Sequence, residues 1–481
     1  MAFKQAQEET NSTSLVEPSI QALRSAALSS AGELRKLTSR INGQTGVATI
    51  HQPTSMNVRR ISTGCFELDL AVGVNGDGTA GIPVGHGTIL VGTQSSGKSL
   101  TAWRTAGQGQ LLCSRCYRPA VDVQEVDIPA DDPEEEATWA LVGSCDCYAQ
   151  KVIRHPLGPR PDPKAKGFAE WQALHEELLA NSYRPFNVAV IDVEGTFDAA
   201  WVNRFAYART MYRVIPPSAE QVTNIYTELI NSGLVDMVIV DSLAAMSPDI
   251  EVQESADKSM MGVHARLLNR MFRVVGQCTN MASLRGRPVT SIWIQQWRDK
   301  IGIAFGDPRT MSGGKGQLFA AALIVDLSAS KVERMEDPRW AGSGIRDADV
   351  AEIAYRIEVG VTVTKNKFAP ANRKARYAQR LVDMDGWRAG EIEDFDNFFK
   401  LILKSSCAVM ESLPGKLVLH LDGIGMEDVT FRNQDEAKVW LRADPSNRKL
   451  AERAFKVRFA GMDLVSTEAE SRAAAKAAKK K

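Results

Sequence analysis

Eight residues between an apolar run and a helix-compatible segment carry the clearest chemistry in the chain. They are Gly92-Thr93-Gln94-Ser95-Ser96-Gly97-Lys98-Ser99, followed by Leu100. The spacing G-x-x-x-x-G-K-S is that of a phosphate-binding loop. Glycines let the backbone curl so that successive N–H groups face phosphate oxygens, and the next helix adds its positive N-terminal end. Lys98 would reach the β- and γ-phosphates, and Ser99 would hold Mg²⁺. The order strand, loop, helix favours this reading over a chance glycine-rich loop.

A nucleotide site of this kind needs a second acid for the metal. "LVDMVIVDS" places Asp241 at the end of a continuous apolar run. Ligands of open α/β sheets sit outside the carboxyl ends of the strands, so Asp241 and Ser99 would approach the same ion. The plainer alternative is that Asp241 caps the next helix. "VAVIDVEGTFDAAW" ends a third strand in the same way. Glu194 lies just past it and suits the task of orienting water against a γ-phosphate. On spacing alone Asp192 competes with it, and either acid could be a plain helix cap.

Cys113-x-x-Cys116 and Cys145-x-Cys147 form two tight pairs. Four thiolates so spaced can close a tetrahedral Zn²⁺ site with no open position, hence a structural site. Reduced free thiols or an occasional disulfide are the alternative. His155 is a possible substitute ligand. Cys65, Cys278 and Cys407 look like isolated packing residues.

The elements that must hold these groups follow from apolar runs. Thr88–Val91, Val188–Ile191, Met237–Val240, Ser291–Ile294 and Leu323–Val325 read as buried strands with helices between several of them. That alternation predicts an α/β core with a central, mostly parallel sheet covered on both faces. The chain divides into a polar N-terminus (1–17), an N-terminal arm (18–61), the core (62–389) with an insertion (108–185), a small α/β C-terminal domain (390–465) and a basic tail (466–481). The arm has helical spacing from Pro18 to Ile41. Its 20–60 segment carries six Lys/Arg and one Glu.

The 481 residues balance 58 Lys+Arg against 58 Asp+Glu, so bulk charge cannot draw the chain to nucleic acid and local basic faces must. Met1 to Thr13 is polar and shows no signal peptide, and no apolar run is long enough to span a membrane. A soluble cytoplasmic protein is expected, cellular or phage-encoded, with no membrane partner.

These motifs occur together in one order: "ISTGCFELDLAVG", "VGTQSSGKS", "IDVEGTFDAAW", "LVDMVIVDSLAAMSP", "MGVHARLLNRMFR", "QQWRDKIGIAFGDPRTMSGG" and "VTVTKNKFAP". In that order they resemble the RecA recombinase family, over most of residues 18–460. The resemblance implies a RecA-like ATPase core and an N-terminal helix-strand arm that mediates polymerisation. It implies that Glu194 activates the attacking water, that Asp198 and Trp201 contact adenine, and that Gln296 senses the γ-phosphate. It also implies that Lys365 and Lys367 reach the nucleotide of a neighbouring subunit.

Two DNA-binding loops are implied as well. The first is about Asp249 to Met261. The second runs from Arg298 to Gln317, with five glycines and a proline. It carries Arg298, Lys300, Arg309 and Lys315 beside Phe305, cations for phosphates and an aromatic ring for bases. A bland surface loop is the alternative from composition. Arg266, Arg270 and Arg273 share one helix face, opposite Leu267, Leu268, Met271, Val274 and Val275. By resemblance, Arg266 and Arg273 contact a single strand, as do backbone groups near Gly313 and Gly314.

The expected activity is therefore DNA-dependent ATP hydrolysis with Mg²⁺, in a helical homo-oligomer that pairs single-stranded DNA with homologous duplex. A ring-forming motor and a non-hydrolysing DNA coat are the alternatives. The sequence departs from the family in the cysteine-bearing insertion and in Trp201, where the family has tyrosine. It also departs in Gln94, where many relatives have glutamate, and in the basic tail with Lys476, Lys479, Lys480 and Lys481.

Overall fold

The structure is a computed structural model that describes residues 58–128, 138–145, 147, 184–248, 262–299, 309–340 and 352–462. The polar N-terminus, most of the arm, His155, the first loop (249–261), Lys300, Phe305 and the tail lie outside the described residues.

The expected buried strands form because their residues alternate between two hydrophobic layers. Leu90, Val188, Val190, Met237, Ile239, Ile292, Ile294, Leu323 and Val325 point into one layer. Ile89, Val91, Ala189, Ile191, Val238, Val240, Trp293 and Ile324 point into the other. A strand apolar on both faces needs cover on both, which is the doubly wound arrangement.

In chain order the strands are β1 (Arg60–Ile61), β2 (Ile82–Pro83), β3 (Gly87–Gly92), β4 (Val121–Ile128), β5 (Thr138–Ser144), β6 (Val188–Asp192), β7 (Tyr212–Val214), β8 (Met237–Asp241) and β9 (Thr290–Asp299). They continue with β10 (Arg309–Met311), β11 (Leu323–Glu336), β12 (Glu352–Asn366), β13 (Lys374–Arg380), β14 (Ile392–Glu393), β15 (Met410–Leu413), β16 (Lys416–Leu419) and β17 (Val429–Phe431). The main sheet has the order β14-β13-β12-β11-β3-β9-β8-β6-β7, with β10 paired to β9. From β11 to β7 all neighbours are parallel. From β11 to β14 they are antiparallel. The predicted α/β core with a mostly parallel central sheet is what the chain builds.

The α-helices are α1 (Phe66–Val72), α2 (Lys98–Gln110), α3 (Ala199–Val202), α4 (Ala219–Ser232), α5 (Val263–Leu284), α6 (Gly316–Ala320), α7 (Phe395–Lys404), α8 (Gln434–Ala443) and α9 (Pro445–Gly461). Helix α2 continues past Gln108, where the insertion was expected to begin. Gly109 and Gln110 are buried, and Gln110 Nε2 donates to the Tyr207 carbonyl at 3.1 Å. The inserted β4–β5 hairpin is antiparallel.

The C-terminal part packs α7, α8 and α9 with the β15–β16–β17 sheet around its own core. Phe66 of α1 enters that core, 5.0 Å from the Phe398 ring and 5.5 Å from Phe455. Beside it the buried Lys456 ammonium meets Asp69 at 3.1 Å. Asp69 also accepts from Thr63 N, Thr63 Oγ1 and Ser62 Oγ, so the buried carboxylate is satisfied by four hydrogen bonds. No helix among the described residues is long and apolar enough to cross a membrane.

Candidate nucleotide site and nucleic-acid face

Strand β3 ends at Gly92, where a methyl group would lie 2.2 Å from the Leu327 carbonyl oxygen. Only glycine lets the chain leave the sheet there. The loop turns through left-handed backbone at Ser95 (φ 56) and Gly97 (φ 83), and Gly97 caps α2. Thr93, Gln94 and Ser95 are exposed, whereas Ser96, Lys98 and Leu100 are buried. Lys98 Nζ and Ser96 Oγ both donate to the Thr93 carbonyl, at 2.6 and 2.8 Å. Burial lowers the Lys98 pKa, opposed by the charges of Asp241 and Glu194.

Asp241 ends β8 in register with Asp192 at the end of β6. It is 7% exposed, and its carboxyl is pushed up to about 6. Desolvation is the main cause, aided by Glu194 and Asp192 and opposed by a Ser99 hydrogen bond and Lys98. Ser99 and Asp241 thus converge on one point, as shared Mg²⁺ ligands require. The Asp241 carbonyl accepts from Val193 N (2.8 Å) and Glu194 N (3.2 Å), which ties the two strand ends together.

The two acids of the third motif have different surroundings. Asp192 is buried and accepts from Thr196 N, Phe197 N and, twice, the Arg213 guanidinium. Its oxygens are therefore engaged. Glu194 is exposed, and Ser242 Oγ donates to its Oε1. Gln296 is exposed and pairs in register with Gly92, at the root of the loop.

Asp198 caps α3, accepting from Ala200 N at 2.8 Å and Trp201 N at 3.2 Å. The half-buried Trp201 ring lies under the Arg204 guanidinium, which binds both oxygens of Asp383 at 2.6 and 3.0 Å. Lys365 is elsewhere. It pairs in register with Ile324, itself opposite Ile89, so it sits toward the N-terminal end of the parallel strands. From Ile89 to Gly92 is about 10 Å along the strand. Lys365 Nζ also turns away, donating to the Leu318 and Phe319 carbonyls. Lys367 is exposed on the same edge.

Helix α5 buries Leu268, Met271, Phe272 and Val275 and exposes Arg266, Arg270 and Arg273. The far end of the second loop is pressed onto it. Gly313 and Gly314 are both left-handed (φ 85 and 79), and a methyl at Gly313 would lie 2.0 Å from Leu268 Cδ1. The close approach seats Gly313, Gly314 and Gly316 against Leu268, Ala265 and Asn269 of the helix, and Lys315 is exposed. Arg298 is exposed at the loop's start. Arg309 instead directs its guanidinium to Asp326 at 3.1 Å.

The four insertion cysteines form one cluster, with all Sγ atoms within 4.8 Å of one another. Cys113–Cys147 and Cys116–Cys145 are 3.6 and 3.4 Å apart. A tetrahedron with about 2.3 Å metal–sulfur bonds has sulfur edges of about 3.8 Å, so the donor set fits a metal ion of zinc's size.

Arg213 and Ser242 escaped the sequence reading. Ser242 follows Asp241 directly and was findable by adjacency, but no local signal linked Arg213 to Asp192.

A family model described as the RecA N-terminal domain matches residues 173–380. Protein RecA of Porphyromonas gingivalis is 32% identical over 219 residues, 45% of this chain and 58% of that protein. Protein RecA of Chlorobium chlorochromatii is 30% identical over 237 residues, 48% of this chain and 60% of the relative. Protein RecA of Clostridium botulinum is 25% identical over 335 residues, 70% of this chain and 67% of the relative. The chain spans about three fifths of the length of the first two relatives.

Proposed function

We propose, from its similarity to RecA proteins, that the chain is an ATP-dependent recombinase of the RecA family. It polymerises on single-stranded DNA and pairs that strand with homologous duplex. One observation carries the reading: Gln296 lies beside Gly92 of the P-loop, and its strand runs directly into the second loop. A residue so placed can report the γ-phosphate to nucleic acid, which suits an ATPase that answers to DNA.

Within the site, Ser99 and Asp241 hold Mg²⁺, which neutralises phosphate charge when bound. Lys98 reaches the phosphates. Glu194, positioned by Ser242, orients the attacking water. Asp198 and Trp201 flank adenine. Arg266, Arg273, Arg298, Lys315 and the Gly313–Gly314 backbone bind phosphates of the strand, a sequence-tolerant mode.

Lys365 and Lys367 act on a neighbour's nucleotide. Their place away from their own P-loop supports this, as does Phe319, 78% exposed beside Lys365. A large exposed aromatic on the same edge is suited to burial against a second copy of the chain. The cysteine cluster holds a structural Zn²⁺ that fixes the β4–β5 hairpin.

The test mixes the protein with ATP, Mg²⁺, a single strand and homologous duplex. Helical filaments and joint molecules are expected. Filaments that never yield joint molecules would remove the recombinase assignment, and closed rings in negative stain would favour a motor.

A further inference from the structure

Both limbs of the second loop meet on one carboxylate. Trp297, on the incoming strand, donates its indole N–H to Asp326 Oδ1 at 2.8 Å. Arg309, on the outgoing strand, donates to Asp326 Oδ2 at 3.1 Å. The Arg309 guanidinium also lies over the Trp297 ring, 4.9 Å from its centroid. The three side chains close a triangle of one hydrogen bond, one ion pair and one cation–π contact.

The location gives the triangle its interest. Trp297 and Arg309 belong to β9 and β10, which pair at only three positions. A two-stranded ribbon that short cannot hold its own geometry in water. Asp326 belongs to β11, and β3 runs between β9 and β11. Asp326 lies opposite Val91, and Gln296 lies opposite Gly92. The Trp297–Asp326 bond therefore straddles the end of the strand that becomes the P-loop. Asp326 is 8% exposed, and both of its oxygens are engaged. A buried carboxylate satisfied in this way has one favoured arrangement.

We propose that Asp326 is a positioning residue that couples the two ligand sites. By gripping both limbs of the second loop across β3, it fixes the loop's root relative to the P-loop. A shift of the P-loop strand on nucleotide binding then moves the loop, and nucleic acid held by the loop restrains that shift in return. This rests on the recombinase reading above, but Trp297 and Asp326 are assigned to neither ligand, and Arg309, expected from the sequence to meet phosphates, is turned to Asp326. Trp297 and Asp326 act through the loop, without touching nucleotide.

The test compares full-length protein with Asp326→Asn and Trp297→Phe. Asparagine keeps an acceptor for the indole but removes the charge that holds Arg309. Phenylalanine keeps a ring under Arg309 but removes the N–H. ATP turnover is measured without DNA and across a titration of single-stranded DNA at fixed salt, with melting temperatures recorded. Turnover without DNA and KM for ATP should stay within roughly two-fold of wild type, as expected for a substitution that spares the nucleotide site. The DNA concentration for half-maximal stimulation should rise about ten-fold in Asp326→Asn, a typical size for coupling between sites, and less in Trp297→Phe. The double variant should be no worse than the more severe single one, because both cut the same link. Wild-type stimulation in both variants would overturn the clasp and leave the recombinase reading standing. Equal loss of unstimulated and stimulated turnover would make Asp326 merely structural and overturn it too. A wild-type protein that DNA does not stimulate would overturn the recombinase reading and the clasp together.

Discussion

Replacing Asp241 with asparagine should raise the melting temperature of the nucleotide-free protein. Burial lifts this carboxyl from its ordinary 3.8 to about 6, and the charges of Glu194 and Asp192 add to the shift. The acid therefore binds its proton more tightly in the folded chain than in the unfolded one. A raised folded pKa contributes stability that is fully present below about pH 4 and is lost as pH rises through about 6. Two pKa units correspond to about 3 kcal/mol at neutral pH. Asparagine keeps an oxygen for the Ser99 hydroxyl and ends the repulsion from two carboxylates, but gives up the attraction of Lys98. A net gain of about 1–3 kcal/mol is expected, or a few degrees in a domain of this size. Scanning calorimetry in EDTA without nucleotide should show the variant melting above wild type at pH 7.5, with the gap closing toward pH 4.5. Excess Mg-ATP should reverse the order, because only the wild type gains the binding term. A variant that melts below wild type at pH 7.5 without ligand, or a gap indifferent to pH, would refute the reasoning.

Glu194→Gln should retain nucleotide binding by fluorescence titration while turnover falls by about 100-fold or more. Cys113→Ser should lower zinc from about one per chain to near none by elemental analysis, since a closed site needs all four sulfurs. Lys365→Ala and Lys98→Ala should each be inactive alone. Mixed, they should recover activity at roughly a quarter of sites in a random one-to-one copolymer, because one protomer's P-loop then meets the other's lysine. Asp69→Ala strands the buried Lys456 ammonium and should cost about 3–5 kcal/mol, read as a lower melting temperature.

What could be read in the sequence was local. The G-x-x-x-x-G-K-S pattern stands out because phosphate binding needs particular residues at fixed spacing in a few positions. The strands were legible because residues apolar on both faces leave continuous runs, as in Val188–Ile191 and Met237–Val240. Spacing alone could not separate Asp192 from Glu194, because the partner that engages Asp192 is Arg213, 21 positions away on a neighbouring strand. Arg309 looked like one more cation in a basic loop until folding set it against Asp326. Two cysteine pairs predicted a cluster, but the hairpin that brings them together carries no strong period of its own. Side-chain partners across a sheet depend on register, which no run of residues reveals.

Helix α2 has thirteen residues, about 20 Å, with the phosphate loop at its first turn and the sulfur cluster just past its last. Whatever the chain adds at the far end is held away from the chemistry by the length of a rigid rod. The stretch past Gln110 can therefore change its sequence without altering the backbone geometry at Lys98, so the sulfur cluster and the glycine-rich loop answer to separate constraints.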